Sequence, residues 1–295
     1  GYCPLLIIMK TKRIIESVIH AIFLILGLIT VACVLLISIY LIVAGIPAIS
    51  KIGIIKFLFG TKWAPTYASP EYGILPFILT SIYGTCGAIV IGVPIGFFCA
   101  VYLSKVADKK VKNIVGHAIS MLAGIPSVVY GLVGMLILVP GIRKIFHVPD
   151  GSSLLAAMIV LAIMILPSII KVSITSLDAV PKEYEDASLA LGANEIETYF
   201  RVSVTAAKSG IITSIVLGVG RAIGEAMAVM MVSGNVPNMP KLFESVRFLT
   251  TAVASEMSYA AGLQRQALFS IALVLFVFIM LINACLNLFL NKEAK

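Results

Sequence analysis

Six stretches of twenty or more mostly apolar residues follow one another along the chain, at 20–44, 73–103, 115–139, 153–174, 210–232 and 267–290. A helix needs about 20 apolar residues to cross the hydrocarbon core of a bilayer, and in lipid every backbone N–H and C=O must be paired within the spanning structure. The pattern predicts an all-α polytopic membrane protein of about six transmembrane helices. Composition agrees: 60% hydrophobic and 12% charged, where soluble domains run about 45–50% and about 25%. The first run exceeds the apolar core of a signal peptide, about 7–15 residues, and reads as a retained span. Residues 1–8 precede Met9-Lys10-Thr11-Lys12-Arg13, which has the form of a natural start with a basic flank, so residues 1–8 read as non-native.

Lys and Arg gather at the ends of apolar runs. Placing the N-terminus in the cytoplasm puts the larger share of them inside, including Lys105, Lys109, Lys110 and Lys112, so both termini are expected there. The predicted organisation is a cytoplasmic segment 1–19, a first span 20–44, an extracytoplasmic segment 45–72, a core 73–290 and a cytoplasmic tail 291–295. The net charge of +8 is spread over these flanks with no basic tract of the kind that follows a nucleic-acid backbone. Membrane lipid is therefore an expected partner and nucleic acid is not. Cys3, Cys33, Cys86, Cys99 and Cys285 form no Cys-x-x-Cys pair, and His20, His117 and His147 are scattered. The cysteines read as small hydrophobes, and no metal site or catalytic residue is expected.

Several spans carry their own breakers: Pro76 and Pro94 in the second, Gly124-Ile125-Pro126-Ser127 in the third, Pro167 in the fourth. Proline removes a backbone donor and clashes with the preceding turn, so kinks or splits are expected there. Irregular backbone at membrane depth is tolerated where it is buried in protein or lines a cavity. Gly124 and Ser127 thus allow two readings, a packing kink or a helix start whose free N–H groups meet an anion. Gly92-x-x-x-Gly96 and Gly220-x-x-x-Gly224 are spaced for close helix packing.

Arg221 and Glu225 lie inside the fifth run, four residues apart. A guanidinium near a bilayer centre costs about 2.5–3.5 kcal/mol on the insertion scale, so something must compensate it. On a continuous helix, i and i+4 share a face and Glu225 neutralises Arg221. Two readings follow: a structural ion pair, or a guanidinium that meets an anion on a path across the membrane with Glu225 as its resting counter-charge.

The most charged stretch, 176–208, joins the fourth and fifth runs. Pro181 suits a first helical turn, Glu183, Glu185 and Asp186 complement the helix dipole, and Gly192 is placed to end that helix before a second starts near Asn194. Tyr184, Ala187, Leu191 and Tyr199 are predicted to form an apolar face. The alternatives are a solvated loop and a helical hairpin that docks a soluble partner.

The segment Glu185-Asp186-Ala187-Ser188-Leu189-Ala190-Leu191-Gly192-Ala193 resembles the EAA coupling motif of ATP-binding-cassette importer permeases, with Asp186 and Ser188 as departures. Gly-Ile-Leu-Pro-Phe-Ile (73–78), Gly-Ile-Pro-Ser-Val-Val-Tyr-Gly (124–131), Gly-Arg-Ala-Ile-Gly-Glu-Ala-Met-Ala-Val (220–229) and Gly234-Asn235 resemble the PstC-type permeases of phosphate importers. The resemblance implies a type I ABC importer permease in a prokaryotic cell membrane, paired with a homologous PstA-type permease. It also implies a dimeric ATPase on the cytoplasmic face and an extracytoplasmic phosphate-binding protein. ATP and its magnesium would belong to the ATPase, leaving this chain without a cofactor; no Gly-x-x-x-x-Gly-Lys-Ser/Thr run is present to cradle phosphates. Arg221, Glu225, Ser127 and Gly124 are then the substrate pathway. The stretch from Pro181 through Tyr184, Glu185, Asp186, Ala187 and Leu191 to Gly192 is the coupling element. Trp63, Tyr67 and Tyr72 are either part of the face that meets the binding protein or interfacial anchors. Another oxyanion, such as sulfate or molybdate, is the nearest competing substrate, and a secondary anion transporter the next alternative.

Overall fold

The computed structural model describes the backbone of residues 4–293 and the side chains of residues 16–284. The expectations for residues 1–3 and 294–295, and for the side chains of Cys3 and Cys285, lie outside the described residues. Among the described residues, five helices are long and apolar enough to cross a membrane; a bent pair, Glu195–Ala206 with Lys208–Gly224 at 71°, brings the count to six. The chain is thus an all-α membrane protein with one small β-ribbon.

Helix α1 (Pro4–Ile52) is one continuous rod. It runs past the predicted end of the first span through Pro47, so residues 45–52 extend the helix instead of opening an external loop. Gly53, at φ 90°, stops it where an L side chain would be strained, and the short α2 (Ile54–Phe59) follows. Strands β1 (Trp63–Ala64) and β2 (Glu71–Tyr72) pair antiparallel, Trp63 opposite Tyr72. Then comes α3 (Leu75–Val101), which ends in a π turn at Tyr102–Val106.

None of the three span prolines Pro76, Pro94 and Pro167 splits its helix. Pro76 sits in the first turn of α3, where its missing N–H costs nothing, and Pro94 lies inside an unsplit helix. Pro167 likewise lies inside an unsplit α7 (Leu154–Asp178). The third run does break, at the predicted Gly124–Ser127 position, although its first helix begins before residue 115: α4 (Lys109–Gly124) stops, and α5 (Ser127–Val133), a π turn (Gly134–Leu138) and α6 (Val139–Phe146) continue.

The spine is α3 against α7. A Cβ on Gly92 would stand 2.8 Å from Ile165 Cδ1, and one on Gly96 2.9 Å from Ile169 Cγ2, so the first predicted small-residue face packs as expected. After the charged segment that follows α7, α11 (Lys208–Gly224) lies on the other side of α7, where Gly218 faces Ile169 and the buried Ser173 and Ser214 hydroxyls hydrogen-bond at 2.9 Å. Helix α14 (Gly262–Glu293) packs on the far end of α1, with the Ser270 hydroxyl donating to the Gly45 carbonyl and Tyr40 edge-on to Phe269 at 5.6 Å. Helix α1 between Glu16 and Ile39 is exposed along almost its whole length, as a lipid- or partner-facing apolar rod must be in an isolated subunit.

Candidate functional site

The fifth run divides where the prediction had a continuous helix. Helix α11 ends at Gly224, Glu225 is extended (φ −74°, ψ 126°), and α12 (Met227–Val232) starts anew. This break lies beside the Ile125–Pro126 break, because α12 packs on α5: a Cβ at Gly131 would meet Ala228 Cα at 2.8 Å and Met231 Sδ at 2.9 Å. Each break is stapled by side chains. The Tyr130 hydroxyl donates to the Leu122 carbonyl (2.7 Å) across the first. Across the second, Glu225 Oε1 accepts from the Ala228 N–H (3.0 Å) and the Thr250 hydroxyl donates to the Glu225 carbonyl (2.8 Å). Tyr130 and Thr250 escaped the sequence reading because their partners are fixed by tertiary packing.

The predicted Arg221–Glu225 pair is therefore not formed. An i, i+4 pair needs both residues on one helix, and the break turns Glu225 to cap α12 instead. Among the described residues Arg221 makes no hydrogen bond or salt bridge, and it is partly buried. The second predicted small-residue face also fails within this chain, since a Cβ at Gly220 or Gly224 would meet nothing within 4 Å. Arg221 thus stands beside an open helix face. Gly124 is exposed and likewise has open space at its Cβ; Ser127 starts α5 partly buried, with no side-chain cap. The result is an unpaired cation next to two adjoining helix breaks, the arrangement that suits recognition of an anion by charge and a planar fork of donors.

The segment after α7 folds as the predicted hairpin. Pro181 caps α8 (Lys182–Ala190) from just outside its first turn, with ψ 134° directing the chain into the helix. Gly192 at φ 90° reverses the chain, and Asn194 opens α9 (Glu195–Thr198) with a reciprocal capping box to Glu197. A π turn (Tyr199–Ser203), the short α10 (Val204–Ala206) and α11 return it to the core. Ser188, a departure from the EAA pattern, hydrogen-bonds to the buried Thr198 at 2.9 Å and clasps α8 to α9. Tyr184, Asp186, Ala187 and Gly192 are exposed, and Leu191 at the tip is 91% exposed, so the apolar face has no cover within the chain. Tyr199 is partly buried and does not join that bare face.

Glu185 faces the other way. Its carboxylate pairs with Lys105 at the end of α3 and accepts from the Ser203 hydroxyl at 2.7 Å, while Lys105 Nζ also donates to the Leu177 carbonyl at 3.1 Å. Burial pushes the Glu185 carboxyl up, but the hydrogen bonds from Lys105 and Ser203 and the charges of Lys105 and Lys182 outweigh it and hold the group below the ordinary carboxylate range. The residue ties the hairpin to the membrane core instead of presenting itself to a partner.

At the opposite end of the helices, Trp63 is only 6% exposed and Tyr72 is also buried. Neither forms part of a docking surface or lies free as an interfacial anchor; Tyr67 alone of the three is exposed. Trp63 Nε1 donates to both carboxylate oxygens of the buried Glu256 at 3.2 Å, its ring meets Tyr72 edge-on at 5.7 Å, and Phe77 lies 5.6 Å away. Glu256 also pairs with Arg247 and accepts from Gln264 at 2.9 Å, and Arg247 donates to the Asn235 carbonyl through Nε (2.9 Å) and Nη2 (2.8 Å). This buried node joins the β-ribbon, α13 (Leu249–Glu256) and α14. Residues 193 apart meet in it, so no local pattern could have found it.

A family model described as a binding-protein-dependent transport system inner membrane component matches residues 92–292. The protein YqgH of Bacillus subtilis (strain 168), described as a probable ABC transporter permease, is 39% identical over 266 residues, 87% of this chain and 86% of its own length. PstC of Pasteurella multocida (strain Pm70), a phosphate transport system permease protein, is 34% identical over 260 residues, 81% of each chain. Among solved structures, an inward-facing MetNI methionine ABC transporter superposes with a TM-score of 0.56 at 18% identity, over 76% of this chain and 95% of that one. An amino acid ABC transporter gives 0.53 at 20% identity, over 74% and 92%. At those identities the structures speak to the fold, while the family model and the curated relatives speak to kinship: the chain belongs to the binding-protein-dependent transport system inner membrane components.

Proposed function

We propose that the chain is the permease subunit of an ATP-binding-cassette importer for inorganic phosphate, forming the translocation path with a homologous partner. The observation that carries the reading is Arg221, an unpaired guanidinium within the fifth run, beside two adjoining helix breaks and a bare glycine face. The PstC relatives, named as phosphate transport permeases, favour phosphate over other oxyanions. Arg221 offers phosphate oxygens a bidentate contact, and Gly124 and Ser127 border the same path. Glu225, spent as a cap on α12, keeps the second break in shape instead of competing for the guanidinium.

ATP hydrolysis belongs to a separate dimeric ATPase that binds ATP and magnesium, since this chain carries no P-loop. Tyr184, Ala187 and Leu191 enter that ATPase, and Lys105–Glu185 passes its movement to the end of α3. An extracytoplasmic phosphate-binding protein delivers substrate to the face that holds Tyr67. Both termini lie in the cytoplasm on this reading, which the larger share of Lys and Arg in the loops on that side supports.

Labelled phosphate uptake by the chain co-expressed with its partner permease, ATPase and binding protein tests the reading, with and without excess sulfate. Wild type should ignore sulfate, and an assembled Arg221→Gln complex should lose uptake. Uptake suppressed by sulfate moves the substrate to another oxyanion, and full uptake by the variant removes Arg221 from the path.

A further inference from the structure

We infer that the junction of α1 and α2 is a binding site for an anionic phospholipid. Two observations converge there. The first is a groove of about 720 Å³ that Lys51, Lys56 and Lys62 line. All three side chains are exposed, and among the described residues none makes a hydrogen bond or salt bridge. Glu71 on the same wall is the single carboxylate against them. A groove of this volume is large enough for a phosphoglycerol headgroup.

The second observation is the bare apolar side of α2. Ile54, Ile55 and Phe59 are 59%, 73% and 66% exposed, while Phe57 on the other side is fully buried and fixes the helix to the body of the protein. Helix α2 begins one residue beyond the membrane-crossing helix α1, from which Gly53 separates it. It therefore lies outside the stretch 20–44 expected to cross the hydrocarbon, on the continuation of that helix. A short apolar surface flanked by lysines there matches an anionic lipid: acyl chains against Ile54, Ile55 and Phe59, phosphate among the lysine ammonium groups. A soluble acidic protein would satisfy the lysines and leave the three apolar side chains in water. A free phosphate would do the same. Charge and apolar surface together select the lipid.

The inference rests on the membrane reading above, and the leaflet follows from the orientation proposed there. Its test does not use transport. The chain, co-purified with its partner subunits in a neutral detergent, is titrated with dioleoylphosphatidylglycerol, dioleoylphosphatidylcholine or inorganic phosphate, and bound lipid is counted by native mass spectrometry. Phosphatidylglycerol should bind at least about tenfold tighter than phosphatidylcholine and weaken as salt is raised. Each lysine near an anionic headgroup is worth about a fivefold change in affinity, so Lys56→Gln with Lys62→Gln should weaken phosphatidylglycerol by roughly 25-fold and leave phosphatidylcholine unchanged. Phe59→Ser should weaken both lipids. Equal binding of the two lipids, or an unchanged double variant, overturns the site. Inorganic phosphate that displaces phosphatidylglycerol at the same concentration overturns the lipid in favour of a free-anion site. A double variant that keeps phosphatidylglycerol but no longer captures the binding protein assigns the lysines to that partner and overturns it too. Loss of phosphate uptake in any preparation bears on the transport reading alone.

Discussion

Lys105, at the end of the second membrane-crossing helix, holds the carboxylate of Glu185, on the first helix of the hairpin, across 80 residues of sequence. Both side chains are mostly buried, and Ser203 and the Leu177 carbonyl complete the set. The hairpin is thereby attached to the core at one charged point while its apolar tip stays bare.

Removing the charge should loosen this attachment. Glu185→Gln leaves the Lys105 ammonium short of its partner, at a cost of about 1–3 kcal/mol. The sign with pH follows from the direction of the shift. Glu185 titrates lower in the folded protein than in the unfolded chain, so its contribution is complete above the ordinary carboxyl value of about 4.3 and disappears as pH falls through its own lower value. Denaturant unfolding in detergent should show a constant gap between wild type and Glu185→Gln from neutral pH to about 5, closing below about 4.

Arg221→Lys keeps the charge and discards the planar fork, so the assembled complex should retain only part of its phosphate uptake. Glu225→Gln should be nearly silent, because its carboxamide oxygen can still accept from the Ala228 N–H. Glu225→Ala should cost about 0.5–2 kcal/mol in thermal unfolding, the range for a lost helix cap. A Glu225→Gln complex inactive at wild-type stability would return Glu225 to the path as a charged group.

Two glycines separate packing from partner contact. Gly131→Ala forces a Cβ to 2.8 Å from the Ala228 backbone and should destabilise the purified chain by about 1–3 kcal/mol. Gly220→Ala meets open space inside α11 and should stabilise the isolated chain by about 0.5–1 kcal/mol in thermal unfolding. If the partner permease covers that face, Gly220→Leu should reduce co-purification of the partner.

Trp63→Phe deletes the N–H that both Glu256 oxygens share and should destabilise by about 1–3 kcal/mol, with no effect on capture of the binding protein beyond that. Arg247→Ala should cost more, about 3–5 kcal/mol, since it leaves a buried carboxylate without its charge partner. Tyr67→Ala should be silent in stability, because the side chain is exposed; a loss of capture there would place the docking face.

What was legible in the sequence depended on neighbours close in sequence. Runs of about twenty apolar residues determine a membrane bundle whatever their order. The hairpin was legible because Pro181, Gly192 and Asn194 act through their own dihedrals and caps. The Gly92–Gly96 face was legible as a spacing, yet the identical spacing at Gly220–Gly224 meets only open space, because what a glycine faces is decided by another helix. Tertiary structure alone decided that Arg221 and Glu225 part company. The break at Glu225 is held by the Thr250 hydroxyl, 25 residues away, and by α12 seated on α5. It likewise decided that Trp63 turns inward to Glu256 and Glu185 to Lys105, because a buried polar group must find its partner wherever the fold brings one.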